Sequence, residues 1–340
     1  MSTKSTPKRP WSLRRKLLLG GLIALIVLAL ALGLGLGLTL GGSDDNDTDS
    51  PILTPLPSPN TTLPWTPKVG DTWQIVLSHP PSISSAPTTT PNVTIFDVDL
   101  FDTPKVTIDS LHTLGKKVIC YFSAGSYEEW RTDAKDFKPE DLGKELDGWP
   151  GEKWARLGSQ NLRGIMKKRI EMAREKGCDG VDPDNVDGYQ NDNGLGLTAN
   201  DSIVFMQYLS SVTRPLNMSL GLKNAGSIIS GVLPLVDFSV NEQCVEYNEC
   251  SKFAAFIDAG KPVFHIEYPA GDGDLQQSVE TNGFSEDTRK KFCNGEGTKG
   301  FSTVLKKMEL DGWVEYCDGR VEVTGIDPGT GGHGKLRKVR

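Results

Sequence analysis

Eight short β-rich runs alternate with longer helical stretches, at residues 72–77, 93–100, 117–124, 180–184, 219–224, 238–242, 262–268 and 301–305. No other feature limits the fold as tightly. Parallel strands need a crossover long enough to return the chain to the same edge, so a strand–helix–strand rhythm makes a parallel sheet. Eight such units in about 250 residues match a single TIM (β/α)8 barrel. An open doubly wound sheet is the competing α/β architecture. It normally carries a phosphate-binding glycine fingerprint after its first strand, and V-L-S-H-P-P offers none. Within 162–176, Met166, Ile170 and Ala173 recur at helical spacing, and Gly177 suits the position just past a helix end. Thr198 with Asp201 has the spacing of a helix cap. Ser126 with Glu129 has it too, and is expected to open a helix carrying Trp130. Residues 247–259 and 284–292 are the later helix candidates.

The ends of the chain are of another kind. The first sixteen residues hold six basic side chains and no acid, and residues 17–40 hold no charge at all. As a helix, that run spans about 36 Å, enough for a hydrocarbon core of about 30 Å. It is expected to be an uncleaved signal anchor with a cytosolic basic tail, 1–16, and the body outside. Cleavage near Gly41, Gly42 and Ser43 is the alternative. Residues 41–66 are acidic and then proline-rich, the composition of an extended stalk. The body is expected over 67–325, with a disordered basic tail over 326–340. Without its first sixteen residues the chain has 31 basic and 44 acidic side chains. That balance argues against a nucleic-acid partner and suits a cationic one.

Five N-x-S/T sequons, at Asn46, Asn60, Asn92, Asn200 and Asn217, fit a secretory route and a single-pass type II protein of the plasma membrane. The six cysteines form an even set without C-x-x-C, so disulfides are expected rather than zinc. Cys244 with Cys250 and Cys293 with Cys317 are the candidate local pairs.

The polar residues gather where a barrel places its chemistry, at the C-terminal strand ends. The period of two sets Asp97 with Asp99, Tyr121 with Ser123, Asp182 with Asp184, and His265 with Glu267. Lys223, Asn224 and Glu242 end two further runs. The densest stretch is C-D-G-V-D-P-D-N-V-D-G-Y, with four aspartates in nine residues. A lone strand-end aspartate more often caps the next helix than reacts, but six strands ending this way form a pattern. Nucleophile elbow, H-E-x-x-H and Walker loop are all missing, and the aspartates fail the spacing of a calcium hand. No cofactor is expected, and an ion at the barrel mouth is the minor metal alternative. Two carboxylates from different strands are the equipment for glycosidic cleavage, one as acid and the other as nucleophile or base. Tyr121, Tyr189, Tyr268 and Trp73 are candidate sugar platforms.

The motifs K-V-I-C-Y-F-S-A-G-S-Y-E-E-W-R, W-P-G-E-K-W, K-G-C-D-G-V-D-P-D-N-V-D-G-Y, G-L-K-N-A, N-E-Q-C-V-E-Y-N-E-C and G-K-P-V-F-H-I-E-Y occur in order over residues 65–317. Together they resemble glycoside hydrolase family 114, whose members are TIM-barrel endo-α-1,4-polygalactosaminidases. The anchor and stalk look like those of membrane-tethered fungal members. The resemblance implies Asp184 and Glu242 as the paired acids of a retaining or inverting enzyme, and here Asp184 is read as the nucleophile and Glu242 as the acid/base. Asp97, Asp99, Asp182 and Glu267 would line the cleft, with Tyr121, Lys223, Asn224 and Tyr268 as further substrate contacts. It also implies a partly or fully deacetylated, cationic galactosamine polysaccharide as the partner of a monomeric enzyme. Asp179 and Asp187 are read as structural. The stretches K-R-I-E-M-A and R-T-D-A depart from the family and are expected on helix surfaces. Glu242 is in phase with Phe238 and Val240, which are expected to face outward. A bulge at Asn241 would re-aim it, and Asn241 and Gln243 are the alternatives. A non-catalytic glycan-binding barrel and a metal-dependent hydrolase are the competing functions.

Overall fold

Each of the eight expected strands forms, to within a few residues of its expected ends. The computed structural model describes residues 62–83, 88–271 and 273–329. The anchor at 17–40, most of the stalk, Asn46, Asn60 and residues 330–340 lie outside them. Among the described residues no helix is long and apolar enough to cross a membrane.

The chain opens with β1 (Trp73–Val76), β2 (Ile95–Asp99), α1 (Lys105–Thr113) and β3 (Lys117–Ser123). A three-stranded antiparallel insertion follows: β4 (Ser126–Glu128), β5 (Leu142–Leu146) and β6 (Trp149–Ala155). Next come α2 (Gln160–Lys176), β7 (Gly180–Asp184), α3 (Ala199–Thr213), β8 (Ser219–Lys223) and the short α4 (Ile229–Val232). The rest is β9 (Phe238–Glu242), α5 (Ala254–Asp258), β10 (Val263–Glu267), α6 (Gln277–Asn282), α7 (Glu286–Cys293), β11 (Ser302–Leu305), β12 (Trp313–Tyr316) and β13 (Val321–Val323).

One curled sheet holds β1-β2-β3-β7-β8-β9-β10-β11 in parallel, extended by antiparallel β12 and β13. The fold is an α/β barrel-like one. Between β11 and β1, single bonds tie the edges. Trp73 Nε1 donates to the Ser302 carbonyl at 2.8 Å, and Ser302 Oγ to the Asp71 carbonyl at 2.8 Å.

Local signals explain the main helices. Ser159 accepts the N–H groups of Asn161 and Leu162 at the start of α2, and Gly177, at φ +96°, ends it. Thr198 and Asp201 form a complete capping box before α3. The expected helix at Ser126–Glu129 is instead strand β4. Ser126 Oγ receives Asn185 Nδ2, and the Glu129 N–H donates to the Gly151 carbonyl, so neither group is left to cap a helix. Of residues 247–259 only α5 is α-helical. The Cys244–Cys250 disulfide and Asn248, at φ +53°, hold the preceding segment in turns.

Partners side by side in parallel strands face the same way, so register settles which residues point into the barrel. Ile75 lies beside Asp97, Tyr121 beside Asp182, Lys223 beside Val240, and Ile266 beside Glu242. Trp73, Asp97, Tyr121, Asp182, Lys223, Phe238, Phe264 and Glu242 therefore share the inner face. The rings confirm it: Trp73 stacks on Phe264 with centroids 5.0 Å apart, although β1 and β10 are not sheet neighbours. Gly221 leaves room for Phe238, whose ring lies 2.5 Å from where a Cβ would stand. The expectation that Phe238 and Val240 face outward is thus reversed, and Glu242 needs no bulge to reach the axis. Trp73 is floor, 1% exposed, rather than a rim platform.

Of the two stretches expected on helix surfaces, K-R-I-E-M-A lies on α2 with Lys168 exposed, but each stretch also buries an arginine. Arg169, in K-R-I-E-M-A, is fully buried, donating twice to Asp133 at 2.8 Å and to the Ser123 carbonyl at 2.6 Å. Arg131, in R-T-D-A, grips Asp99 with both terminal nitrogens and Glu128 with Nε. Arg169 ties the end of β3 to the insertion, and Arg131 ties the end of β2 to it. Removing one partner of a buried pair strands the other's charge, at a cost of about 3–5 kcal/mol. Arg169→Met is expected to lower unfolding free energy by about that amount in urea titrations. Lys168→Met, on the exposed side of α2, should change it little.

Candidate active site

Asp184 ends β7, Lys223 ends β8 and Glu242 ends β9, three neighbouring strands. Each is followed by a residue at positive φ: Asn185 at +61°, Asn224 at +48° and Gln243 at +59°. The chain therefore turns away at once, leaving the three side chains at the strand mouths. Gly125 permits the first turn, because a Cβ there would sit 1.8 Å from the Asn185 carbonyl oxygen.

Lys223 is 2% exposed, and its ammonium lies 3.2 Å from Asp184 Oδ2 and 3.3 Å from Glu242 Oε2. Burial disfavours its charge, but Asp184, Glu242 and Asp182 together raise its pKa well above the ordinary lysine value. Asp184 also accepts the Tyr121 hydroxyl at 2.8 Å and the Asn185 N–H at 2.7 Å. Glu242 accepts the Tyr268 hydroxyl, and Asn224 Nδ2 at 3.1 Å. Burial alone would raise the Glu242 pKa. Lys223, Tyr268 and Asn224 outweigh it and hold the carboxyl below its usual range.

Beneath this row lie Asp97 and Asp182, both fully buried and with all four carboxyl oxygens unpaired. Burial and mutual repulsion raise Asp97 well above an ordinary aspartate. Burial pushes Asp182 up to about 7, Lys223 opposing and Asp184 and Glu242 adding to the rise. These acids form an underlayer in which charge is disfavoured. A sugar would meet Asp184 and Glu242 instead.

The structure gathers Asp97, Tyr121, Asp182, Asp184, Lys223, Asn224, Glu242 and Tyr268 around one ammonium. It does not bring Asp99 or Glu267 to the mouth. Asp99 is 3% exposed and held bidentately by Arg131. Glu267 is on the outer face of β10, bonded to His265 Nε2 at 2.8 Å and to the Val245 N–H at 2.7 Å. Asn241 points to that outer face too. Asp179 is structural as expected, tied to His112, Lys117 and the Val118 N–H.

Asp187 and Glu152 belong to the site and were not expected there. Asp187 is half-buried without an ion pair, and burial, followed by the nearby Asp184, pushes it up to about 6. Glu152, from W-P-G-E-K-W on β6, is pushed up to about 8 by burial and by Glu128 and Asp184. The motif marked Glu152, but nothing in it showed that the insertion folds back beside β7.

Cys244, Cys250 and His265 lie close together, yet the two cysteines form a disulfide and have no thiolate to offer a metal. Cys120–Cys178 and Cys293–Cys317 complete the pairing, so both expected local pairs form. A cavity of about 630 Å³ opens at Thr72, Ser302 and Cys293 and is lined by none of these acids.

Residues 54–322 match the model of glycoside-hydrolase family GH114. Among solved structures, Aspergillus fumigatus Ega3 in complex with galactosamine is 52% identical, with a TM-score of 0.70 over 76% of this chain and 99% of that one. The glycoside hydrolase domain of PelA from Pseudomonas aeruginosa shares the fold at 11% identity, with a TM-score of 0.54 over 75% and 99% of the two chains. No curated protein sequence matches.

Asp182 and Asp187 hold protons in the folded protein at pH values where an unfolded chain has released them. Their folded pKa values are raised, so the stability they add is complete below about pH 4 and is lost as pH rises through 6 and 7. The melting temperature is expected to fall between pH 5 and 7, and Asp182→Asn to flatten that slope. An unaltered slope in the variant would show Asp182 ionised in the fold.

Proposed function

The chain belongs to glycoside-hydrolase family GH114, and from that premise we propose an endo-acting hydrolase of α-1,4-linked galactosamine polymers. It is a glycosidase. The observation that carries the finer reading is the shared ammonium. Asp184 and Glu242 come from different strands, and both face Lys223 from opposite carboxylates.

Distances of 3.2 and 3.3 Å to one nitrogen keep the nearer oxygens within about 6.5 Å of each other. Retaining glycosidases space their carboxyls at about 5–5.5 Å and inverting ones at about 6.5–9.5 Å, so two acids sharing one cation suit the shorter, retaining spacing. Asp184, fixed by a backbone N–H, is the nucleophile. Glu242, longer and held only by side chains at its carboxyl, is the acid/base. Because its pKa is held low, the acid form of Glu242 becomes available as pH falls. Activity is therefore expected to be greatest on the acid side of neutrality.

A cationic galactosamine polymer suits a cleft rimmed by Asp184, Asp187 and Glu242. Ega3, crystallised with galactosamine, supports that substrate class. A glycan-binding barrel without activity would lack a carboxylate across from Asp184, and Glu242 stands there. For a metal-dependent hydrolase, the position between the carboxylates would have to receive the ion, and Lys223 occupies it.

The body is read as a closed TIM-type barrel, monomeric, on a type II plasma-membrane anchor at 17–40 and a stalk at 41–66. Three disulfides suit an oxidising exterior. Asn92, Asn200 and Asn217 are exposed, as glycan acceptors must be.

The test is the release of reducing ends from a deacetylated galactosamine polymer beside its N-acetylated form. The deacetylated polymer should be cut faster, and less so as salt rises. Asp184→Asn and Glu242→Gln should each lower turnover by orders of magnitude with melting temperature near wild type. Full activity in either variant would remove it from the catalytic pair.

A further inference from the structure

The site holds more acids than its cations serve. Lys223 pairs with Asp184 and Glu242. Arg131 pairs with Asp99 and Glu128, and Arg169 with Asp133. Asp97, Asp182, Glu152 and Asp187 are left without an ion pair. The first three are buried, Glu152 with Ser126 Oγ at 3.4 Å. Of the four, Asp187 alone is half-open to solvent. Burial and the nearby Asp184 both work against its charge, and Lys223 offsets them only in part.

Contacts on three sides fix where Asp187 stands. Beneath it Val186 is fully buried, and the Val186 carbonyl accepts Ser202 Oγ at 2.6 Å. On the insertion side Gly188 lies against Trp154 of β6, whose ring is 2.9 Å from where a Cβ would stand. On the other side Tyr189 is bonded to Ser227, on the loop that follows β8. Asp187 therefore sits over the end of β7, between the insertion and the β8 loop. The charges that act on it, Asp184, Lys223 and Glu242, end β7, β8 and β9 in turn. That row is the barrel mouth.

The turn does not need the carboxylate. Its shape comes from the Asp187 carbonyl, which accepts the Gln190 N–H at 2.9 Å and Asn191 Nδ2 at 3.3 Å. The Asp187 side chain precedes the short 3-10 turn Gly188–Gln190 yet makes no capping bond to it. A carboxylate fixed at the mouth, half in water and lacking a cation, gains more from an incoming ammonium than one already paired.

We propose that Asp187 is the residue of the cleft that selects deacetylated sugar, by pairing with the ammonium group of a bound galactosamine unit. The inference rests on the function proposed above and deepens it to the residue that tells the two forms of the polymer apart. An ammonium supplies the missing cation through charge-assisted hydrogen bonds. A neutral acetamide leaves the carboxylate half-buried and unpaired, so discrimination comes from loss on one side as well as gain on the other.

Binding in an inactive background separates this inference from the catalytic reading. Glu242→Gln protein is titrated with the deacetylated polymer and with its N-acetylated form, each with and without Asp187→Asn. Asparagine keeps the shape of the side chain and removes its charge. It is expected to weaken binding of the deacetylated polymer about tenfold and to leave the acetylated form within about twofold. Asp187→Glu should keep most of the preference. In the active protein, Asp187→Asn should raise KM for the deacetylated polymer more than it lowers kcat. An unchanged preference in Asp187→Asn overturns the proposal. So does an equal loss for both polymers, which is what an aspartate with a purely structural role would give. If the preference collapses but the unmutated protein releases no reducing ends, the assignment of Asp187 stands and the hydrolase reading falls. If the Glu242→Gln protein binds neither polymer, both fall.

Discussion

The ammonium of Lys223 is the interaction on which the site depends. Asp184 and Glu242 both approach it within 3.3 Å, and fully buried Asp97 and Asp182 lie below. Without a cation there, four carboxyls would share one low-dielectric space, and burial plus repulsion would hold protons on most of them. With it, the charge divides into layers. Charge is disfavoured on the lower pair, whose pKa values are raised, and Glu242 above is held below its usual pKa. A barrel mouth so arranged presents ionised acid to a ligand while its interior remains nearly neutral.

That arrangement relies on the barrel's inner face being both polar and aromatic. Trp73, Phe238 and Phe264 fill the floor. The acids and Lys223 stand above them, nearer the strand ends. Gly221 reconciles the two, leaving β8 bare where Phe238 crosses so that Lys223 can occupy the next inward position. The outer face of β10 carries polar groups of its own, and His265 and Glu267 serve the loop after β9. Position in the sheet, more than polarity, decides what each side chain does.

The insertion after β3 shows how the periphery supports the centre. Arg131 and Arg169 bury their guanidinium groups against Asp99, Glu128 and Asp133, and so hold the insertion to the ends of β2 and β3. Glu152 is thereby brought within electrostatic reach of Asp184. Arginine suits this place because its planar fork meets a carboxylate with two parallel bonds and keeps its charge when buried.

Much of this was legible in the sequence. Strand rhythm announced the parallel sheet, and the strand ends carried Asp184, Lys223 and Glu242 in plain view. Short spacings pointed to two disulfides, and the Thr198 cap was read correctly because both its partners lie within one turn. Local chemistry of that kind needs only neighbours in the chain. The face assignments of β9 and β10 could not be read the same way. A period of two says which residues share a face, but not which face looks inward. Apolar Phe238 and Val240 suggested the outside, and polar Glu267 the inside. Register with Lys223 on β8 reverses both, because parallel neighbours must point the same way. The sequence by itself determined the strands and the residues at their mouths. Only the tertiary structure decided that Glu242 faces Asp184 across one lysine, since that contact joins strands held in register by the whole sheet.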